Sequence, residues 1–424
     1  MRTDLGPAPV LSTGAGGPTP LPRATRFDGL EAVRALAAIA VVVTHVAFQT
    51  GSTLDGMFAG LLARLDAGVA FFFVLSGFLL FLPYVRRRLA DAPPPSSRAY
   101  LWRRAIRILP AYWFAVIACF LLFPENAGVT VADWVRHALL VQGYQPGTLR
   151  PGLTQTWSLA TEAAFYVALP ALAWLVLGRR RTARDLRRPL AVLAGLVLFS
   201  VLWLIGSRLV DPEGTWPSGS WLPGTIGWFA AGMALATLRA WYEVHSMGPG
   251  RWLLDVARAP GSCWLLAVLL MLIATTPVAG PRLLLPTTGW EMVWKHLLYG
   301  AAAFLAVLPL TLVDARTSRP TAVLSGRLSA ALGHISYSIF LWHLLVLQLV
   351  YRFTDLTLFG GQFWRALGLT LAGSLVVAAV SYLVVERPAM RLKGLVPDRS
   401  TPTAATTQAS ASTEAIEAPV SPAP

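Results

Sequence analysis

LEAVRALAAIAVVVTHVAF, residues 30–48, decides the fold. A helix needs about 20 predominantly apolar residues to cross a bilayer, and this run has that length. It also carries Arg34 and His45. An ionisable side chain at the centre of a membrane helix costs roughly 2.5–3.5 kcal/mol on insertion scales, so two in one span mark a functional site by default. Their spacing sharpens the point. Eleven residues at about 100° each return almost to the same helix face, with a rise of about 16 Å. Arg34 and His45 therefore share a face and lie towards opposite sides of the membrane.

The rest of the chain agrees with a membrane reading. Of 424 residues, 55% are hydrophobic and only 13% charged, against about 25% charged in a soluble domain. The net charge of +14 suggests nucleic acid at first sight. The basic residues instead sit in short loops between apolar runs, where they set orientation, so no nucleic-acid partner is expected. Cys119 and Cys263 both lie in apolar stretches and give neither a disulfide framework nor metal spacing. The six histidines are scattered without a ligand motif, so no metal is expected. Residues 1–25 and the tail 396–424 have disordered compositions, which leaves 26–395 as the membrane domain.

Ten apolar spans are predicted, near 30–48, 67–84, 108–123, 155–177, 190–207, 222–238, 262–279, 296–313, 331–351 and 366–385. Residues 130–142 read as a short amphipathic helix outside the core. Of the 35 Lys and Arg, 26 fall in the loops of one side and 8 in those of the other, Arg34 lying within the first span. The fold class is all-α, a polytopic integral membrane protein of about ten helices, multi-pass in the plasma membrane, with both termini cytoplasmic.

This topology gives depth to the polar groups. Arg34 lies one turn into its span from the cytoplasm, and His45 one turn from the outer end. Glu162 and, four residues earlier, Ser158 fall in the outer half of the fourth span, and His343 in the outer half of the ninth. His45, Glu162 and His343 are thus expected at similar depth, with Glu162 orienting His45 as a general base. On the cytoplasmic side, Arg104 and Arg107 in YLWRRAIRILPAYW are three apart on one helix face and suited to gripping phosphate. Ser76 and Gly77 fall mid-span, where small residues let helices approach. Glu386 and Arg391 are expected to tie the end of the last helix to a neighbour.

These pieces occur in a known order. The chain resembles the acyltransferase 3 family of membrane-bound O-acyltransferases, found mainly in bacteria. The matching stretches are FDGLEAVRALAAIAVVVTH, GVAFFFVLSGFLL at 68–80, RRAIRILPAYW at 103–113, TWSLATEAAFY at 156–166, SYSIFLWH at 336–343 and ERPAMR at 386–391. Phe340 stands where many relatives have a tyrosine.

The resemblance implies transfer of an acyl group, acetyl or another short acyl, from acyl-CoA to a hydroxyl of a sugar, glycolipid or glycosylated natural product such as a macrolide, as in O-acetylation of the bacterial cell envelope. No cofactor is implied, since acyl-CoA is a co-substrate. The family's motifs map onto His45 and Glu162 as catalytic residues and onto Arg34, Arg104 and Arg107 as donor-binding ones. Ser158, Trp157, Tyr166, Ser76 and His343 are candidates for supporting roles, Ser158 as a donor to the oxyanion. The alternative is a proton-coupled transporter with Arg34, His45 and Glu162 as a relay. Transporter folds often carry internal repeats, and no matching halves are found here.

Overall fold

The computed structural model describes residues 21, 23, 27, 29–178, 185–282, 286–313 and 324–397. The expectation of disorder at the two ends, and most of the basic run at 179–188, lie outside the described residues.

Among the described residues the chain is helical throughout. The helices are α1 (Gly29–Thr50), α2 (Ala59–Arg64), α3 (Gly68–Leu89), α4 (Ser97–Leu122), α5 (Val131–Ala138), α6 (Trp157–Leu177) and α7 (Arg187–Val210). They continue with α8 (Leu222–Tyr242), α9 (Trp252–Ala257), α10 (Pro260–Ala274), α11 (Gly289–Leu312), α12 (Arg327–Phe353) and α13 (Phe363–Ser381). Nine described helical segments are long and apolar enough to span a membrane. The remaining predicted span, 262–279, corresponds to α10, which has only 15 residues, or about 22 Å of helix. One end of the bundle collects the arginines that close α3 and open α4, and is called the basic end below. The opposite end is the far end.

The basic end is latched by a buried ion network. Arg86 of α3 makes paired hydrogen bonds of 2.8 and 2.7 Å to Glu243, just past α8. Arg239 donates to the same carboxylate at 2.9 Å and to the Thr311 carbonyl of α11 at 3.2 Å. Leu21 N–H donates to the Tyr242 carbonyl, and Phe27 packs edge-on against Phe78 at 5.0 Å, so these two residues lie against this latch. Beyond α13, a π turn (Tyr382–Glu386) buries Glu386, which accepts a hydrogen bond from Ser338 of α12. The expected tie at the end of the last helix is thus made by Glu386.

Higher up, α3 and α8 run parallel and in close backbone contact. A Cβ on Gly77 would strike the Phe229 carbonyl, and one on Gly232 the Val74 carbonyl. Two reciprocal glycines remove the side chains that would hold the backbones apart. That approach lets Phe229 stack between Phe73 of α3 at 4.4 Å and Phe165 of α6 at 4.0 Å. The three rings form a rigid wall behind the site described next.

The loop between α4 and α6 does not stay outside. After α4, helix α5 begins with a capping box at Thr130 and Asp133. Burial pushes the Asp133 carboxyl up, but bonds from Thr130 and the Arg150 guanidinium outweigh it and hold the group down at about 2. From there the chain folds back along α4: Trp134 packs on Phe120, and the Trp113 indole, more than two turns below the end of α4, donates to the Ala138 carbonyl at 3.0 Å. Gln142 then donates to Thr156 at 2.9 Å, and Gln155 to the Leu341 carbonyl of α12 at 2.8 Å. Helix α6 therefore starts inside the bundle, pinned at its first turn to α12. Within residues 130–142 the expected amphipathic helix is Val131–Ala138, packed against α4 with Asp133 and His137 buried rather than outside the core, and its consequence is the depth of everything on α6.

Candidate active site

That depth decides which residues meet. Glu162 is five residues into α6, about 7.5 Å further towards the basic end than the pinned start. It accepts a hydrogen bond from Ser76 of α3 at 2.5 Å and lies within electrostatic range of Arg34. The expectation that Glu162 orients His45 is corrected here. The sequence count began α6 at the membrane surface, whereas the inward fold of residues 123–156 starts it deep, so Glu162 joins the arginines.

Together these groups line a cavity of about 640 Å³ of unfilled space, part of it open to solvent. Arg34 (α1), Ser76 (α3), Arg107 (α4), Ser158, Glu162 and Tyr166 (α6), and Tyr337 (α12) supply its polar surface. The Tyr337 hydroxyl donates to the Ile108 carbonyl of α4 at 2.9 Å, fixing α12 against α4 at this level. The apolar end of the cavity is closed by Phe72 and Phe340, whose rings meet edge-on at 5.8 Å.

Three expectations change in detail. Arg104 is outside the cavity lining: its Nε is buried without a hydrogen-bond partner among the described residues. With Arg103 and Arg107 it lies within electrostatic range of Lys393, so the guanidiniums form a cationic approach at the basic end. Ser158 donates its hydroxyl hydrogen to the Gln155 carbonyl at 3.1 Å. To donate to an oxyanion the hydroxyl would have to turn away from that carbonyl. Trp157 is part of the pinned start of α6, with its backbone against Gly143, and does not line the cavity.

His45 does not line the cavity. Its Nδ1 is 2.8 Å from the Val41 carbonyl and 3.2 Å from Nε2 of the buried His343. His343 Nδ1 is 2.7 Å from the Phe340 carbonyl. Since a carbonyl only accepts, His343 carries its hydrogen on Nδ1, and a neutral ring then offers a lone pair at Nε2. His45 Nδ1 faces two acceptors, so it carries a hydrogen as well. The neutral His45 is left with a free basic nitrogen at Nε2. Two imidazoles linked in this way can take up one proton at His45 Nε2 and share the resulting charge through the Nδ1–H bond. His343 was expected among the supporting groups at this depth. Its direct bond to His45 depends on the mutual rotation of α1 and α12, which spacing within either helix does not reveal.

The site thus has two levels on one helix: guanidinium and carboxylate around a cavity at Arg34, and an imidazole pair at His45, about 16 Å apart along α1.

The family described as an acyltransferase domain matches residues 27–386. The peptidoglycan O-acetyltransferase OatA of Listeria monocytogenes is 25% identical over 88% of this chain, which spans 58% of that relative's length. The acyltransferase MdmB of Streptomyces mycarofaciens is 29% identical over 88% of this chain and 94% of its own. The exopolysaccharide production protein ExoZ of Rhizobium meliloti is 29% identical over 77% and 89% respectively.

Proposed function

The chain belongs to the acyltransferase 3 family, and from that premise we propose that it moves a short acyl group from acyl-CoA to a hydroxyl of a carbohydrate, glycolipid or glycosylated natural product. The basic end faces the cytoplasm, in keeping with the 26 to 8 division of Lys and Arg. Arg104 and Lys393 attract the donor's phosphates, and Arg107 and Arg34 hold the polar arm in the cavity. The thioester advances past Phe340 towards His45. His45 Nε2 takes the proton of the acceptor hydroxyl as its oxygen attacks the thioester carbonyl. Collapse of the tetrahedral adduct breaks the C–S bond, and the departing thiolate recovers the proton from the imidazolium.

One observation carries this reading. A single helix presents a guanidinium into an open cavity and a base with a free nitrogen above it, at a separation that an extended thioester arm of about 15–20 Å can bridge. The test uses membranes containing the protein, incubated with acetyl-CoA labelled in the acetyl group. Label should enter membrane glycan or lipid with the wild type and be lost with His45→Ala at equal expression. Undiminished labelling in His45→Ala removes the base assignment. A transporter without acyl chemistry gives no label in either.

A further inference from the structure

A second polar cluster lies level with His45 and outside the cavity already described. After α1 the chain turns back at the far end and descends along it. The Thr44 hydroxyl is 3.5 Å from the Ala63 carbonyl, and Gly68 sits against Ala37 and Val41. Asp66, in the 3-10 turn between them (Leu65–Ala67), is therefore at the depth of residues 41–44 of α1, inside the bundle rather than at its end. It lies within electrostatic range of His45. Lys295 of α11 binds one Asp66 oxygen at 2.7 Å, and the Tyr299 hydroxyl donates to the other at 2.5 Å.

This pair is open. The Lys295 and Asp66 side chains are 33% and 40% exposed. At such depth an ion pair turned to hydrocarbon is costly, and intramembrane charges face the bundle interior or a water-filled cavity. At about 22 Å, α10 falls short of the roughly 30 Å hydrocarbon core. The buried Arg64 holds its last carbonyl, Ala274, at 2.8 Å, and the Gly280 carbonyl at 2.5 Å. The far face is therefore stepped down around α2, α10 and the start of α11, with Asp66 and Lys295 on its floor.

We propose that Asp66, Lys295 and Tyr299 form the acceptor subsite, which binds adjacent hydroxyls of a sugar entering from the far face and delivers one of them to His45. The inference deepens the acyltransferase reading and rests on it. The chemistry matches a polyhydroxyl ligand. Each Asp66 oxygen keeps a lone pair beyond its present bond, and the Lys295 ammonium keeps two N–H donors beyond Asp66. A pair of neighbouring hydroxyls can donate to the first and accept from the second. The acceptor then approaches His45 from the side opposite the donor cavity, which is the geometry a two-substrate transfer needs.

The test has two arms. In a variant with Cys119→Ala and Cys263→Ala, Asp66→Cys is exposed in sealed vesicles of known orientation to the membrane-impermeant reagent sulfonatoethyl methanethiosulfonate. Modification from the far face is expected. No modification from that face, or modification from the basic face alone, overturns the recess. In the second arm, transfer of labelled acetyl from acetyl-CoA to the membrane's own glycans is followed. Asp66→Asn and the milder Tyr299→Phe should lower transfer by about tenfold or more, as expected for loss of a charge-assisted hydrogen bond. The acetyl-CoA concentration giving half-maximal rate should not move. Unchanged transfer, or a shift in the acetyl-CoA requirement instead, overturns the subsite. Absence of transfer by the wild type is a failure of the acyltransferase reading and leaves the labelling arm standing on its own.

Discussion

The arginine-lined cavity and the imidazole pair sit on the same helix and are built in opposite ways. The cavity draws on α1, α3, α4, α6 and α12 and sets guanidiniums against a carboxylate around open space. The pair uses only α1 and α12. Among the described residues no carboxylate is in hydrogen-bond contact with it, each ring leans on its own helix backbone, and the Phe340 ring packs against His343. A region that holds an anionic ligand needs fixed charge and room, and it can carry charge because opposite signs are paired. The imidazole pair takes its orientation from backbone carbonyls and from the second ring instead. On the proposed mechanism, charge would handle binding at one level, and tautomer control would handle proton transfer at the other.

The contrast breaks first at His45. His45→Ala should lower the maximal rate by about 10²- to 10⁴-fold, the usual worth of a general base, with little change in the donor concentration for half-maximal rate. A large rise in that concentration would mean the imidazole binds donor and the two levels are not separate. Arg107→Gln should do the reverse, raising the acyl-CoA requirement about 10- to 100-fold through loss of a charge-assisted contact. Arg104→Gln should have a smaller effect, because only Arg107 lines the cavity. Equal effects would undo that distinction. His343→Phe should cost about 10- to 100-fold in rate, the range found when a group orienting a reactive imidazole is removed. His343→Gln keeps an acceptor for His45 and a donor for the Phe340 carbonyl and should recover part of it. Identical losses in both, with no change in the pH profile, would reduce His343 to packing.

Much of this was legible in the sequence because it depends on one helix at a time. The Arg34 and His45 spacing, the apolar spans and the basic loops are all local patterns. Glu162 was misplaced for a physical reason. Its depth is set by where α6 begins, and that is fixed by non-local bonds from Gln142 to Thr156 and from Gln155 to Leu341. Hydropathy gives the length of a span without its offset along the membrane normal. The most apolar spans are also a poor guide to the site. Arg187–Val210, with mean hydropathy 2.4, has 17% of its apolar window buried, whereas Arg327–Phe353, at 1.6, has 72% buried. Lipid rewards an apolar surface on every face, while the helices around a site keep polar groups turned inward.

The inward fold of residues 123–156 therefore links the two levels, and Asp133 is its weakest loaded point. The carboxyl accepts from Thr130, at the start of α5, and from Arg150, at 2.7 Å, on the returning strand of the loop. Asp133→Asn keeps an acceptor for Thr130 but loses the ion pair, a loss of about 1–3 kcal/mol for a charge-assisted contact between a buried carboxylate and a partly exposed Arg150. Because folding depresses this group from an ordinary value of about 3.9 to about 2, its contribution is complete above the ordinary value and disappears as pH falls through the depressed one. Wild type and variant should converge in loop protection, measured by hydrogen exchange of residues 123–156, only at the acid end. At neutral pH the variant's looser α6 start should disturb Glu162 before His45, so the acyl-CoA requirement should rise about twofold while the rate at saturation holds. A fall in saturated rate with an unmoved donor requirement would show that the loop positions the imidazole pair instead.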